Sequence, residues 1–230
     1  MKDLLFNSAY FGFVISLAAY YIGTLVRKKW NFPIFNPLLI AMLLVILVMV
    51  VFDIDYAYYE AGARYLSYLL TPATVCLAIP LYQQIELLKK NLVAILVSIF
   101  AGVVASAGSI LLMSYLFGLS HGQYVTLLPK SITTAIGLSL SDELGGISNI
   151  TVAAIVITGI FGNIIGETIC RVFAIKNPIS QGLALGTASH AIGTARALQM
   201  GEIQGAMSSL SVAVAGLLTV LFASFFAMLL

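Results

Sequence analysis

Apolar residues run along this chain in blocks long enough to cross a bilayer, and the polar positions between them mark where each block ends. Leu4 to Val26 is an apolar run followed by Arg27-Lys28-Lys29. It is too long for the core of a signal peptide and predicts a retained first span with its N-terminus outside. Asn36-Pro37 opens a second span, Leu38 to Phe52, with the proline in the first turn, where a missing N–H is tolerated. Asp53 to Glu60 is acidic and tyrosine-rich and reads as an outer loop. Tyr65 to Tyr82 carries Pro72 and Pro80, each of which removes a helical hydrogen bond, so this span is predicted to be discontinuous. Lys89-Lys90 brings the chain back to the cytoplasmic side. Leu92 to Leu119 is then a long span with Gly102, Ser106 and Ala107 for close helix contact, and His121 sits solvated in the outer turn Gly118 to Gly122. Ile150 to Ile169 and Ala206 to Leu230 are the remaining uninterrupted spans.

Two stretches depart from this pattern. In Tyr124 to Gly146 a proline, a lysine and several hydroxyls interrupt an apolar segment. Read as helix, Lys130, Thr133, Thr134, Gly137 and Ser141 share one polar face, and a charge kept in lipid is by default a pathway hypothesis. Gln181 to Gly201 echoes it: Thr134-Ala135-Ile136-Gly137 matches His190-Ala191-Ile192-Gly193 at an offset of 56, and Leu77-Ala78-Ile79-Pro80 is a fainter third copy. In a continuous helix Thr187, His190 and Thr194 face away from Ser189, Gly193 and Arg196, and a break at Gly193 lets these polar groups converge. Pro72, Pro80, Gly137 and Gly193 are therefore the expected helix breaks.

Charge placement turns these breaks into a topology. If the Lys130 segment crossed the membrane, Arg171 and Lys176 would fall outside, against the bias of Arg27 to Lys29 and Lys89-Lys90. If it enters and returns, all three basic clusters lie inside, and one crossing between the two copies makes them oppositely oriented, as in inverted-repeat transporters. The expected fold is an all-α polytopic membrane protein of seven to eight hydrophobic segments, with discontinuous or re-entrant helices in an inverted repeat. It forms a single transmembrane domain, residues 1–230, grouped as 4–52, 63–119, 122–170 and 178–230.

Composition agrees with the pattern. Hydrophobic residues are 61% of the chain and charged residues 9%, with a mean hydropathy of +1.06, whereas soluble domains carry about 25% charged residues. A net charge of +2 and no basic run longer than Arg27-Lys28-Lys29 make no case for nucleic acid. Cys76 and Cys170 match no metal spacing and read as small buried residues, and no cofactor is implied.

The candidate chemistry is the loose holding of an anion. Lys130 offers a point charge, Arg196 a planar fork suited to a carboxylate, and Ser131, Thr133, Thr134, Ser189 and Thr194 offer hydroxyls for a small organic acid. The competing reading has Lys130 snorkelling to the interface and Arg196 anchoring its segment. His190 is either a coupling group for protons or a satisfied structural histidine. Asn163, Glu167 and Arg171 form a polar row at helical spacing, in which Glu167 and Arg171 read as a structural ion pair, with coupling at Glu167 as the alternative. An enzyme is not expected: no GxSxG elbow, HExxH motif or pair of intramembrane aspartates is present.

At Leu128-Pro129-Lys130-Ser131-Ile132-Thr133-Thr134 and again at Gly186 to Arg196, GTASHAIGTAR, the sequence resembles the LrgB/CidB family and its YohK-like bacterial inner-membrane members. Asn36-Pro37-Leu38-Leu39 and Pro72-Ala73 through Pro80-Leu81-Tyr82 extend the resemblance over essentially the whole chain. Ala135, where family patterns often have proline, and the acidic Asp142-Glu143 depart from it. The resemblance implies two functional traditions: transport of small monocarboxylates such as pyruvate, glycolate or glycerate, and a holin/antiholin-like role in murein hydrolase activity and autolysis. It also implies a small LrgA-type membrane partner. A coupling proton or sodium ion and a homo-oligomer complete the expected partners. The carrier is the reading these residues favour, because a lesion-forming assembly needs no matched pair of cationic, broken elements.

Overall fold

Hydropathy alone makes helices of nearly everything here, because a backbone in lipid has no water to satisfy its N–H and C=O groups. The computed structural model describes residues 10–30 and 35–230, and among these no strand occurs. Leu92–Phe117, Ser148–Val172 and Glu202–Ala227, with the run Tyr56–Gln83, are long and apolar enough to cross a membrane. Side chains such as Val97, Phe100, Leu116 and Leu221 stand exposed on these helices, a surface suited to lipid. This is an all-α membrane protein, and its contacts group into two compact units, one ending at Cys76 and one comprising Leu77–Leu230.

In the first unit, helix α1 (Phe11–Lys29) ends on Arg27, Lys28 and Lys29, where cations suit the helix dipole. Residues 4–9 of the expected first span lie outside the described residues. Helix α2 (Pro37–Phe52) starts on an Asn36 cap, whose side-chain oxygen accepts from Leu38 N at 2.8 Å. Helix α3 (Tyr56–Ser67) starts on Asp55 in the same way, accepting from Ala57 N at 2.9 Å. Gly12 and Gly23 let α1 approach the backbones of Tyr59 and Pro37 closely. Helix α4 is Leu70–Cys76 and α5, the first of the second unit, is Ala78–Gln83. The helix is interrupted at 68–69 and at 77, about one turn upstream of Pro72 and Pro80, where each proline leaves a carbonyl without its donor. Cys76 is exposed, so of the two cysteines Cys170 alone is buried as expected.

The second unit continues with α6 (Ile85–Lys90), α7 (Leu92–Phe117), α8 (His121–Leu127), α9 (Thr134–Glu143), α10 (Ser148–Val172), α11 (Pro178–Met200) and α12 (Glu202–Ala227). Ile95, Ile99 and Val103 of α7 meet Leu183 of α11 and Ala206, Met207 and Ala215 of α12 in one buried cluster. Ala107 and Ile110 meet Tyr124, Leu128, Leu140 and Ala223 in another.

Between these spans the chain twice turns back on itself. Helices α8 and α9 form the arms of one hairpin: at its base an added Cβ on Gly122 would lie 4.0 Å from Gly145 O, and in the last turn of α8 Thr126 Oγ1 accepts from Ile147 N at 2.8 Å while Thr151 Oγ1 donates to Thr126 O at 2.9 Å. Its tip is the non-helical stretch 128–133, which contains Pro129 and Lys130. The second hairpin lies inside α11. Ser189 (φ −135°, ψ 18°) and His190 (φ 43°, ψ −142°) leave the helical region, and the chain folds back there. A Cβ on Gly193 would sit 2.7 Å from Leu185 O, a separation impossible for residues eight apart in a straight helix, where they stand about 12 Å apart. Span α10 alone separates the two hairpins, so they start from its opposite ends.

Two expected breaks are corrected by this geometry. Gly193 is helical, and the break comes at Ser189-His190; Gly137 is helical too, buried inside α9, and the break precedes it at 128–133. Both glycines serve close approach instead: an added Cβ at Gly193 would meet Ser189 Cβ at 2.6 Å, and one at Gly137 would meet Pro129 O at 3.4 Å.

The hairpin reading of α11 is directly testable with Cys76 and Cys170 replaced by alanine. Single cysteines at Lys176 and Glu202 should react with an impermeant thiol reagent from the same face, and one at His121 from the opposite face. Labelling of Lys176→Cys and Glu202→Cys from different faces would show that α11 crosses the membrane.

Candidate functional site

Lys130 stands at the tip of the first hairpin because Pro129 has no N–H to give and the chain there cannot continue as helix. Its Nζ donates to Ser131 Oγ at 3.1 Å, and Ser131 Oγ lies 3.1 Å from Ser106 Oγ of α7. No carboxylate pairs with Lys130 among the described residues. The lysine lines a part-open cavity of about 620 Å³ between α7, α10 and the first arm of α11. Ser131, Ser106, Thr187 and Ser189 line it as well, and most of the remaining wall is apolar: Ile165, Ile169, Leu183 and Leu185. Gly162 and Gly166 of α10 let Ser189 and Leu185 press against the backbone of that helix, which holds the second hairpin beside the cavity.

The hydroxyl of Thr187 is buried, with 6% of the residue exposed, and has no hydrogen-bond partner among the described residues. Its methyl fills the space a side chain on Gly102 would need. Between Thr187, Ser106, Ser131 and apolar neighbours lies a second cavity of about 20 Å³, the size of roughly one water.

At the second tip the polar groups are spent on the backbone. His190 is buried with Nε2 3.0 Å from Ile155 O of α10, and Gly159 makes room for its ring. Asn163 Nδ2 donates to Ile192 O at 2.7 Å. Thr194 is fully buried, reaching His190 O at 3.0 Å and Ser208 Oγ of α12 at 2.8 Å. These contacts satisfy groups that the break would otherwise orphan.

Arg196 goes elsewhere. Its guanidinium pairs with Glu167 Oε2 and donates to Gln199 Oε1 at 2.9 Å. Glu167 Oε1 also takes Arg171 at 3.1 Å, so one carboxylate serves two arginines. They line a separate, more polar cavity of about 600 Å³ with Lys176, Gln181 and Gln204. Of the residues expected to hold an anion, Lys130, Ser131 and Ser189 come together in one cavity; Thr133, Thr134, His190, Thr194 and Arg196 do not line it. Thr133 occupies the N-cap position of α9 without a side-chain capping bond, and Thr134 is exposed. Thr187 and Ser106 were not among the expected site residues. The signal for Thr187 was its hydroxyl one helical turn before His190 in an otherwise small-residue run.

The family model for the LrgB-like family matches residues 16–229. This chain belongs to the LrgB-like family. Similar members are the antiholin-like protein LrgB of Bacillus subtilis (strain 168), 43% identical over 215 residues and 93% of each chain, and that of Bacillus mycoides (strain KBAB4), 41% identical over 212 residues and 92% of each chain. The antiholin-like protein LrgB of Bacillus cereus (strain B4264) is 41% identical over the same length. No solved structure matches the chain. The two hairpin tips of this LrgB-like protein are the stretches that carried the resemblance in its sequence.

If the second arm of α11 folds back as described, Gly193→Ala should lower stability in detergent by about 1–3 kcal/mol, because the new methyl must displace Leu185 backbone. Gly108→Ala is the control, since an added Cβ there meets nothing within 4 Å. Thermal unfolding reads both, and equal melting temperatures would contradict the folded-back arm.

Proposed function

We propose that this LrgB-like protein is an antiholin-like membrane protein, acting on autolysis by restraining murein hydrolase activity. The supporting observation is similarity along nearly the whole length: relatives named antiholin-like match over 92–93% of both chains. Its place in this reading is the bacterial inner membrane, with the N-terminus outside and an LrgA-type small membrane protein as partner.

A second reading rests on a separate observation, the cavity of about 620 Å³ at which both hairpin tips present polar groups. Broken helices that expose polar groups to a cavity between spans are how carriers build a substrate site in lipid. In this reading the protein carries small organic anions, and any effect on the cell wall follows from what it moves. A coupling proton or sodium ion and a homo-oligomeric assembly belong to this reading too.

Two measurements separate them. Expression in a cell lacking its own LrgB-type protein should return the autolysis rate to normal if the antiholin-like reading holds, and an unchanged rate would remove it. Purified protein in liposomes should show saturable, competable uptake of short acids if it is a carrier. Unselective leakage of sugars, or no flux at all, would rule the carrier out.

A further inference from the structure

The ends of α10 and α11 and the start of α12 bring charged and amide side chains to one place at the base of the second hairpin. Helix α10 closes with Ala174 at a φ of 53°, Ile175 N donating to Cys170 O at 2.8 Å and Ala174 N to Arg171 O at 3.2 Å. That left-handed turn sends the chain back, so Lys176 lines the same cavity of about 600 Å³ as Arg171, Arg196 and Gln204. Part of the wall is held by its own hydrogen bonds: Gln181 Nε2 donates to Ile175 O at 2.7 Å and Gln204 Nε2 to Gln181 Oε1 at 3.1 Å. Three cations and one carboxylate line this space, so Glu167, although it holds both arginines, leaves a surplus of two positive charges. Lys176 has no carboxylate partner among the described residues. Cations gathered in this way repel one another unless an anion joins them.

We propose that this cavity holds the headgroup of an anionic phospholipid, and that a headgroup with two phosphodiesters binds it better than one with a single phosphodiester. Charge sets the preference: two phosphodiesters carry two negative charges and match the surplus, where one leaves half of it. Guanidinium forks suit phosphate oxygens, and basic pockets between membrane helices are a known form of headgroup site. The surroundings point to a lipid rather than a soluble phosphate. Val172 and Phe173, between the lining residues Arg171 and Ala174, are 73% and 72% exposed, and Ile169 is exposed as well, so acyl chains have an apolar surface beside the charges. Isolated arginines and lysines at helix ends meet headgroups one at a time by snorkelling. Here they share one cavity, and a single lipid meets them together. The site depends on neither reading of function.

The test is titration of the full chain in detergent micelles with bis(phosphatidyl)glycerol, the lipid retained being counted by native mass spectrometry. Retention should saturate, phosphatidylglycerol should bind more weakly, and phosphatidylcholine, whose phosphate is neutralised by its own ammonium, should not be retained. Arg171→Gln and Lys176→Gln should each weaken binding about fivefold. Both side chains are exposed, so the variants keep the fold. Removing the same charge elsewhere, by Lys89→Gln with Lys90→Gln, should change nothing. Equal loss in that pair would reduce the effect to general attraction between opposite charges and overturn the proposal. Oleate retained as tightly would show that any charged lipid suffices, and displacement by an equal concentration of glycerol 1-phosphate would make the ligand a soluble phosphate. Either result overturns the proposal, as would phosphatidylglycerol binding as tightly as the double phosphodiester or full retention in Arg171→Gln with Lys176→Gln.

Discussion

Each backbone group in a membrane must find its partner inside the protein, and this chain twice breaks a helix where no water can help. The rest of the second unit is arranged around those two breaks. Span α10 supplies the acceptor for His190 at Ile155 O and the donor for Ile192 O from Asn163, both within hydrogen-bond distance. At the other hairpin, Thr126 and Thr151 tie the last turn of α8 to the start of α10. None of these bonds forms unless the helices come very close, and the glycines of α10 and α11 allow that. Gly159 and Gly162 face the tip of the second hairpin, while Gly182 and Gly186 face α12. Small residues and side-chain caps therefore act together here: the first bring backbones near enough for the second to reach.

The spans were legible because length and hydropathy decide them. Leu92–Phe117, Ser148–Val172 and Glu202–Ala227 fall within a few residues of the expected segments, since helix ends follow where charge and glycine appear. The proline interruptions were legible for a stereochemical reason that depends on no neighbour. Direction changes at the hairpin tips were harder. Charge placement predicted that the Lys130 segment returns, but the helical face proposed for Lys130, Thr133 and Thr134 dissolves once 128–133 is not helix. At the second tip the glycine attracted the break, although His190 itself takes a φ of 43° that non-glycine residues avoid. Nothing local in Ser189-His190 announces this. The conformation is held by Ile155 O, 35 residues away in sequence.

The same distance effect redirected Arg196. Spacing along one helix pairs Glu167 with Arg171, and that pair exists at 3.1 Å. The carboxylate has two oxygens, however, and the fold brings Arg196 to the second from 29 residues away. A charge that looked available in the sequence is thus neutralised in the structure, while Lys130, which looked equally able to snorkel, has a serine for a partner and a cavity in front of it.

That difference between the two cations bears on what the breaks are for. A helix broken only to seat a structural ion pair would end with its polar groups matched, as Arg196, His190 and Thr194 are. The first tip does not end that way. Lys130 has no counter-charge among the described residues, and the buried Thr187 hydroxyl has no hydrogen-bond partner among them. Unpaired polar groups in an apolar setting are destabilising, so this tip carries a cost that the second does not. The second hairpin thus spends its polar groups on holding its own break, while the first leaves Lys130 facing a cavity to whose wall the second contributes Ser189.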